Sequence, residues 1–273
     1  MPLSLTKSEF ELLRIHIQNI SGINLDDSKM ALMESRLSPL LERFQCYDYM
    51  SLYQKAKYTD EINGEICCAI STNETSFFRD SNVFEMIRDN FIPHFLNKSN
   101  SLSVWSAASS YGQEAYSIAM ILHEAIVNID KYDIKIEGTD ISNKAIAYAS
   151  YGLYTPFEVA RGVDAARLNR HFDQTAAGYR IKDKLRYYVH FRELNLLKNI
   201  PFGAEFDIIL CRNVAIYFNK ETKRQLFEKL YKCLKPRGRL IIGSTETLWQ
   251  VTDIFHRRDY KGVVYYALTK NGD

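Results

Sequence analysis

Residues 101–140 read SLSVWSAASSYGQEAYSIAMILHEAIVNIDKYDIKIEGTD, and the order of their pieces decides the fold. A short apolar strand, LSVWSA, gives way to a helical pattern over 113–126, and a second strand, IKIEGTD, follows. The alternation resumes with a helix near 143–150, the strand FDIILC, a helix over 220–234 and the strand RLIIGS. Strands that alternate with helices in this way build an α/β fold with a parallel sheet and helices on both faces. The final VVYYAL run lies beyond the last helix, with no room for another crossover, so it is expected to pair antiparallel at or near an edge. Residues 153–190 fit the rhythm poorly and end in YYVHF, which predicts an inserted subdomain.

Upstream the pattern is helical. Thr6 and Glu9 make a capping box, Leu5 and Phe10 sit where a hydrophobic staple would, and Phe10, Leu13, Ile17 and Ile20 repeat at helical spacing until Gly22. A second run, Met30, Met33, Leu37, Leu41 and Phe44, keeps that period, although Pro39 should kink or split it. Shorter helices are expected around 48–57 and 61–70, and another through Phe84, Ile87 and Phe91, ending near Pro93. We therefore divide the chain into a helical domain with its linker, 1–80, and an α/β domain, 81–273, carrying an insert at about 153–190.

Composition narrows the function. The 273 residues are 46% hydrophobic and 25% charged, an ordinary globular balance. A net charge of +2 lacks the electrostatic footprint of a duplex-binding protein, so nucleic acid is not favoured as a partner. The amino terminus shows no signal-peptide pattern, and no apolar run nears the roughly 20 residues needed to span a bilayer. A cytoplasmic protein without membrane insertion is expected. Cys46, Cys67, Cys68, Cys211 and Cys233 show no C-x-x-C spacing, so neither a disulfide framework nor a metal site is indicated.

In doubly wound sheets the ligand sits beyond the carboxyl ends of the strands. After the first strand comes SAASSYGQE, whose single glycine, Gly112, supports a phosphate cradle poorly, while Ala107, Ala108 and Ser109 let an uncharged or zwitterionic ligand approach the backbone. The second strand ends in Asp140, where an acid commonly accepts from ribose hydroxyls; it or Ser142 could instead cap the next helix. A ribose acid beside a glycine-poor turn favours S-adenosylmethionine over NAD. After FDIILC come Asn213 and Tyr217, polar groups at a strand end, without the prolines typical of DNA amine methylases. The segment Thr72-Asn73-Glu74-Thr75-Ser76-Phe77-Phe78-Arg79 mixes hydroxyls, an amide and a cation around two aromatics, more than a hinge requires.

The strings STNETSFFRD, WSAASSYGQEAYSIAM, GTDIS, LNLL, FDIILCRNVAIYF and RLIIGSTETL, in this order, resemble the CheR-type chemotaxis methyltransferases, which esterify glutamates of bacterial chemoreceptors. The resemblance covers nearly the whole chain. It implies a helical amino-terminal domain, a Rossmann-like S-adenosylmethionine-binding domain and a small β insert. It also implies that the cofactor, leaving as S-adenosylhomocysteine and needing no metal, touches Asn73, Thr75, Arg79, Ala108, Glu114, Asp140, Asn195, Leu196, Asn213 and Val214. Arg79 and Tyr217 would flank the transferred methyl. Where the family often has G-E-E-P-Y-S, this chain has Gly112-Gln113-Glu114-Ala115-Tyr116-Ser117, which keeps the second acid.

The implied substrate is the acidic helical bundle of a chemoreceptor's cytoplasmic part. Lys29, Arg36 and Arg43 recur every seven residues along one flank of the second helix and are the expected docking strip, although a solvated face is the plain alternative. Relatives that tether to a receptor's carboxyl-terminal pentapeptide have a glycine-bearing loop in the insert; here DQTAAGYRI is short, which argues against tethering. Phe77, Phe78 and Tyr217 are expected to keep water from the site. Two rivals stay open: a non-catalytic S-adenosylmethionine-binding scaffold, and an enzyme of the same fold with another acceptor.

Overall fold

The computed structural model describes residues 4–268. The first four helices, α1 (Lys7–Ser21), α2 (Met30–Arg43), α3 (Tyr49–Ala56) and α4 (Asp60–Ile70), pack around Leu13, Ile17, Met33, Leu37, Tyr49, Leu52 and Ile66. α1 starts with the expected capping box, in which Thr6 Oγ1 accepts from the Glu9 N–H and Glu9 Oε2 accepts from the Thr6 N–H at 2.9 Å. Its end is set by Gly22 at φ 76°, where a Cβ would stand 2.9 Å from Phe218 Cε1 and 3.1 Å from Leu197 Cδ1. The helix thus stops where its backbone meets the second domain closely. Pro39 does not split α2. The carbonyl that Pro39 cannot satisfy, that of Ser35, accepts instead from the Ser38 hydroxyl at 3.3 Å, which offsets the lost bond.

Pro93 likewise fails to end its helix. α5 (Ser81–Met86) continues through a π-helical turn, Ile87–Phe91, into α6 (Ile92–Leu96). The Ile92 N–H donates to the Ile87 carbonyl five residues back, and Pro93 follows in the first turn of α6, where its missing donor costs least.

Beyond it lie β1 (Ser101–Ala107), α7 (Gln113–Ala125), β2 (Asp133–Asp140), α8 (Asn143–Tyr151), β3 (Leu153–Tyr154), α9 (Pro156–Ala160), α10 (Ala165–His171), β4 (Phe172–Thr175), β5 (Gly178–Ile181), α11 (Asp183–Arg186), β6 (Val189–Glu193), β7 (Phe206–Cys211), α12 (Lys220–Cys233), β8 (Leu234–Ile242), β9 (His256–Tyr260) and β10 (Val263–Ala267). The main sheet has the order β6-β2-β1-β7-β8-β10-β9, and β3-β5-β4 forms a separate antiparallel sheet in the insert. β7 is buried at every residue, as expected of a strand covered on both faces. One face packs Tyr116, Ile118 and Phe84 on the sheet, the other Trp105, Phe206 and Leu230.

One sequence expectation needs correction here. YYVHF leads into β6, which pairs parallel with β2 from Ile136↔Val189 to Asp140↔Glu193, so the insert ends before it. β10 pairs antiparallel with β8 near the sheet edge, as expected, and the edge strand itself is β9, HRRDY, whose polar alternation hides a strand. No helix among the described residues is long and apolar enough to cross a membrane.

Candidate active site

β1 leads one way to β2 and the insert, while β7 and β8 continue the other way, so the strand order reverses between β1 and β7. Past Ala107 the chain enters α7 within five residues, with Ala108 at φ 60°, Ser110 at φ 50° and Gly112 at φ 88°. Left-handed backbone at non-glycine residues costs about 1 kcal/mol or more each and concentrates at functional sites. A Cβ at Gly112 would stand 2.8 Å from Ala149 Cβ and 2.9 Å from Phe191 Cζ, so glycine is required there by packing as well as by φ.

This turn, the linker 71–79, the ends of β2, β6 and β7 and the end of α1 enclose a cleft with about 970 Å³ of open space, its mouth included. Asn73, Thr75, Arg79, Ala108, Glu114, Asp140, Asn195, Leu196, Asn213, Val214 and Tyr217 all line it. Residues scattered over 145 positions of sequence are thus brought to one wall-to-wall cavity.

Its acids are held in place. Asp140 accepts from the backbone N–H groups of Ser110 (2.8 Å) and Ser142 (2.9 Å). Burial pushes its carboxyl above the ordinary range, while those N–H groups pull the other way. The helix-cap alternative goes to Ser142, whose Oγ accepts from Ala145 N–H at 3.2 Å. Glu114 accepts from Ser106 Oγ (2.7 Å) and from Arg212 Nη1 (2.9 Å). Arg212 also donates to Asp80 Oδ2 (2.5 Å) and the Arg79 carbonyl (2.8 Å), with only 3% of its side chain exposed. It ties β7, α7 and the linker together.

Asn213 is at φ 58°, fixed by Glu246 Oε2, which accepts from both the Asn213 and Gly243 N–H groups at 2.7 Å. Asn213 Oδ1 and Ser109 Oγ are buried on the cavity wall without a hydrogen-bond partner among the described residues. A ligand that brings donors and an apolar face fits this lining. S-adenosylmethionine, with hydroxyls, an ammonium and an adenine, is a ligand of this kind, whereas phosphates would meet the carboxylates of Glu114 and Asp140.

Other expected residues have different duties. Asn195 donates from Nδ2 to the Ile20 carbonyl (2.7 Å) and accepts at Oδ1 from Leu197 N–H (2.9 Å), which joins α1 to the sheet. Phe77 and Phe78 do not line the cavity. They pack edge-on against Tyr154, Phe172 and Phe84 in the core, so they anchor the linker rather than exclude water. Arg36 donates to the carbonyls of Ile70 (2.5 Å) and Ser71 (3.1 Å), and Arg43 pairs with Glu65 at 2.8 Å. Lys144 of α8 shares Glu65 at 2.8 Å; burial of Glu65 is outweighed by these two cations, which hold its carboxyl below the usual range. Of the strip, Lys29 and Arg43 are exposed and Arg36 is half-buried, but Arg36 and Arg43 are already engaged by this chain.

Sequence reasoning missed Arg212, Glu246, Ser110 and the α1 end, where Ser21 and Ile23 reach the cavity. Arg212 and Glu246 stood within the quoted strings, but nothing in spacing pairs an acid with the backbone of a residue 33 positions away.

Comparison with known proteins agrees with this geometry. The CheR methyltransferase, all-alpha domain, matches residues 8–61, and the CheR methyltransferase, SAM binding domain, matches residues 73–263. Residues 73–263 are therefore an S-adenosylmethionine-binding methyltransferase domain. Chemotaxis protein methyltransferase Cher2 of Pseudomonas putida is 34% identical over 268 residues, 95% of this chain and 98% of its own. Chemotaxis protein methyltransferase 1 of Pseudomonas aeruginosa is 34% identical over 273 residues, 97% of this chain and 100% of its own. The chemotaxis protein methyltransferase of Borreliella burgdorferi is 35% identical over 90% of each chain. With both of its domains matched and relatives aligned from end to end, the chain belongs to the CheR methyltransferase family.

Proposed function

We propose that this chain moves the methyl group of S-adenosylmethionine to glutamate side chains of chemoreceptors in the cytoplasm, forming methyl esters in chemotactic adaptation. The observation that carries this reading is a cation, Arg79, on the wall of a cleft whose acids Glu114 and Asp140 are already engaged. A glutamate has a reference pKa of about 4.3, so at neutral pH it arrives as an anion and needs no general base. Arg79 is then free to orient it.

Bound in the cleft, S-adenosylmethionine supplies an electrophilic methyl on a sulfonium and leaves as S-adenosylhomocysteine. Asp140 holds the ribose hydroxyls, and Asn213 Oδ1 and Glu114 hold the amino-acid end. Tyr217, anchored by its carbonyl to Asn24 N–H at 2.9 Å, closes the pocket over the acceptor and keeps water out. Alignment of this kind supplies roughly 7–11 kcal/mol toward the barrier. The receptor reaches the site past the exposed Lys29; with Arg36 and Arg43 held by this chain, that flank contributes less than its sequence spacing implies.

The test is incubation with methyl-labelled S-adenosylmethionine and receptor-containing membranes. Base-labile label on receptor protein is expected, and label that survives mild base would reject ester formation.

Asp140 gives a pH prediction. Its carboxyl titrates above the ordinary range because it is buried, so on acidification it gains a proton before an exposed aspartate would and loses acceptor capacity. Affinity for S-adenosylhomocysteine, measured by calorimetry from pH 8 to pH 5, should therefore fall as pH falls. Asp140→Ala should weaken binding at neutral pH by roughly 1.5–3 kcal/mol and flatten the profile.

A further inference from the structure

A second groove lies behind the wall that carries Tyr217. It is lined by Ile216, Lys220, Lys223, Glu246, Thr247 and Trp249 among others. Ile216 is 46% exposed and Trp249 76% exposed. Lys220 and Lys223 stand in the first turn of α12, where a helix prefers acids, so neither serves the helix that carries it. Their ammonium groups make no ion pair or hydrogen bond among the described residues, whereas Glu221 between them is taken by Arg224.

The groove adjoins the active site across that wall. Ile216 faces it while the neighbours Val214 and Tyr217 line the cavity, and Glu246, which fixes Asn213, belongs to the groove's own wall. A large exposed indole flanked by unpaired cations suits one kind of surface: a helix with apolar side chains to cover Trp249 and Ile216 and carboxylates to meet the lysines. On a helix, carboxylates three or four residues apart share a face, so a pair of them can meet Lys220 and Lys223 together.

Resting on the function proposed above, we propose that this groove docks an acidic amphipathic helix of the methyl-accepting protein. The experiment compares wild type, Trp249→Ala and the double variant Lys220→Glu/Lys223→Glu on a soluble cytoplasmic chemoreceptor fragment, with S-adenosylhomocysteine affinity measured on each. The side chains changed are at the surface, so cofactor affinity is expected to stay unchanged while KM for the fragment rises about tenfold or more. The wild type should lose affinity for the fragment with added salt more steeply than the double variant. Unchanged KM in both variants overturns the inference, as does a parallel loss of cofactor affinity. A wild-type dimer in sedimentation that Trp249→Ala dissociates assigns the groove to a second copy and also overturns it. A wild type that methylates no receptor refutes the function itself, a different result from any of these.

Discussion

Arg79→Ala is expected to lower turnover on receptor by about 10²–10³-fold, well beyond any change in its affinity for S-adenosylhomocysteine. The guanidinium lines the cavity with a single hydrogen bond among the described residues, Nη1 to the Glu74 carbonyl at 3.2 Å, so most of its donors remain for an incoming carboxylate. Without it, an acceptor meets the carboxylates of Glu114 and Asp140 on the cleft wall, and its oxygen loses the fork that aims it. Arg79→Lys should recover only part of the rate, because an ammonium replaces a planar fork with a point charge. Initial rates with labelled cofactor decide the matter: an alanine variant that turns over like the wild type removes Arg79 from this role.

Arg212→Met is expected to have the largest effect on stability. Arg212 is nearly sealed from solvent and neutralises both Asp80 and Glu114. Removing one partner of a buried ion network leaves the others uncompensated and costs about 3–5 kcal/mol, toward the lower end here because Asp80 is a third exposed. At about 2–4 °C per kcal/mol for a domain of this size, melting should drop by roughly 10 °C. Arg212→Lys keeps the charge but cannot span both acids and the Arg79 carbonyl at once, so it should fall between. Thermal unfolding of the three proteins checks this, and a methionine variant as stable as wild type would mean that water takes the arginine's place.

Much of the site was legible in the chain. Asp140 and Asn213 end strands whose apolar runs announce a parallel sheet, and in such sheets ligands gather beyond those ends. Asn73, Thr75 and Arg79 stood out because their mixture of polar groups exceeds what a linker needs. The roles of Phe77 and Phe78 were not legible, since an aromatic pair reads the same whether it faces a cleft or a core. The strip on α2 was misleading for a related reason. Helical spacing shows that Lys29, Arg36 and Arg43 share a flank, but not that Ile70, Ser71 and Glu65 already wait opposite two of them.

By itself the sequence determined the two-domain order, the parallel sheet and the strand ends that line the cavity, because periodicity and capping act over a few residues and are written locally. Only the tertiary structure decided which charges are free. It gave Arg212 to Glu114 and Asp80, Glu246 to the backbone of Asn213 and Arg43 to Glu65, and left Lys220, Lys223 and Trp249 open beside the cavity. Pairing of charges is settled by distances between segments far apart in the chain, and no local pattern encodes them.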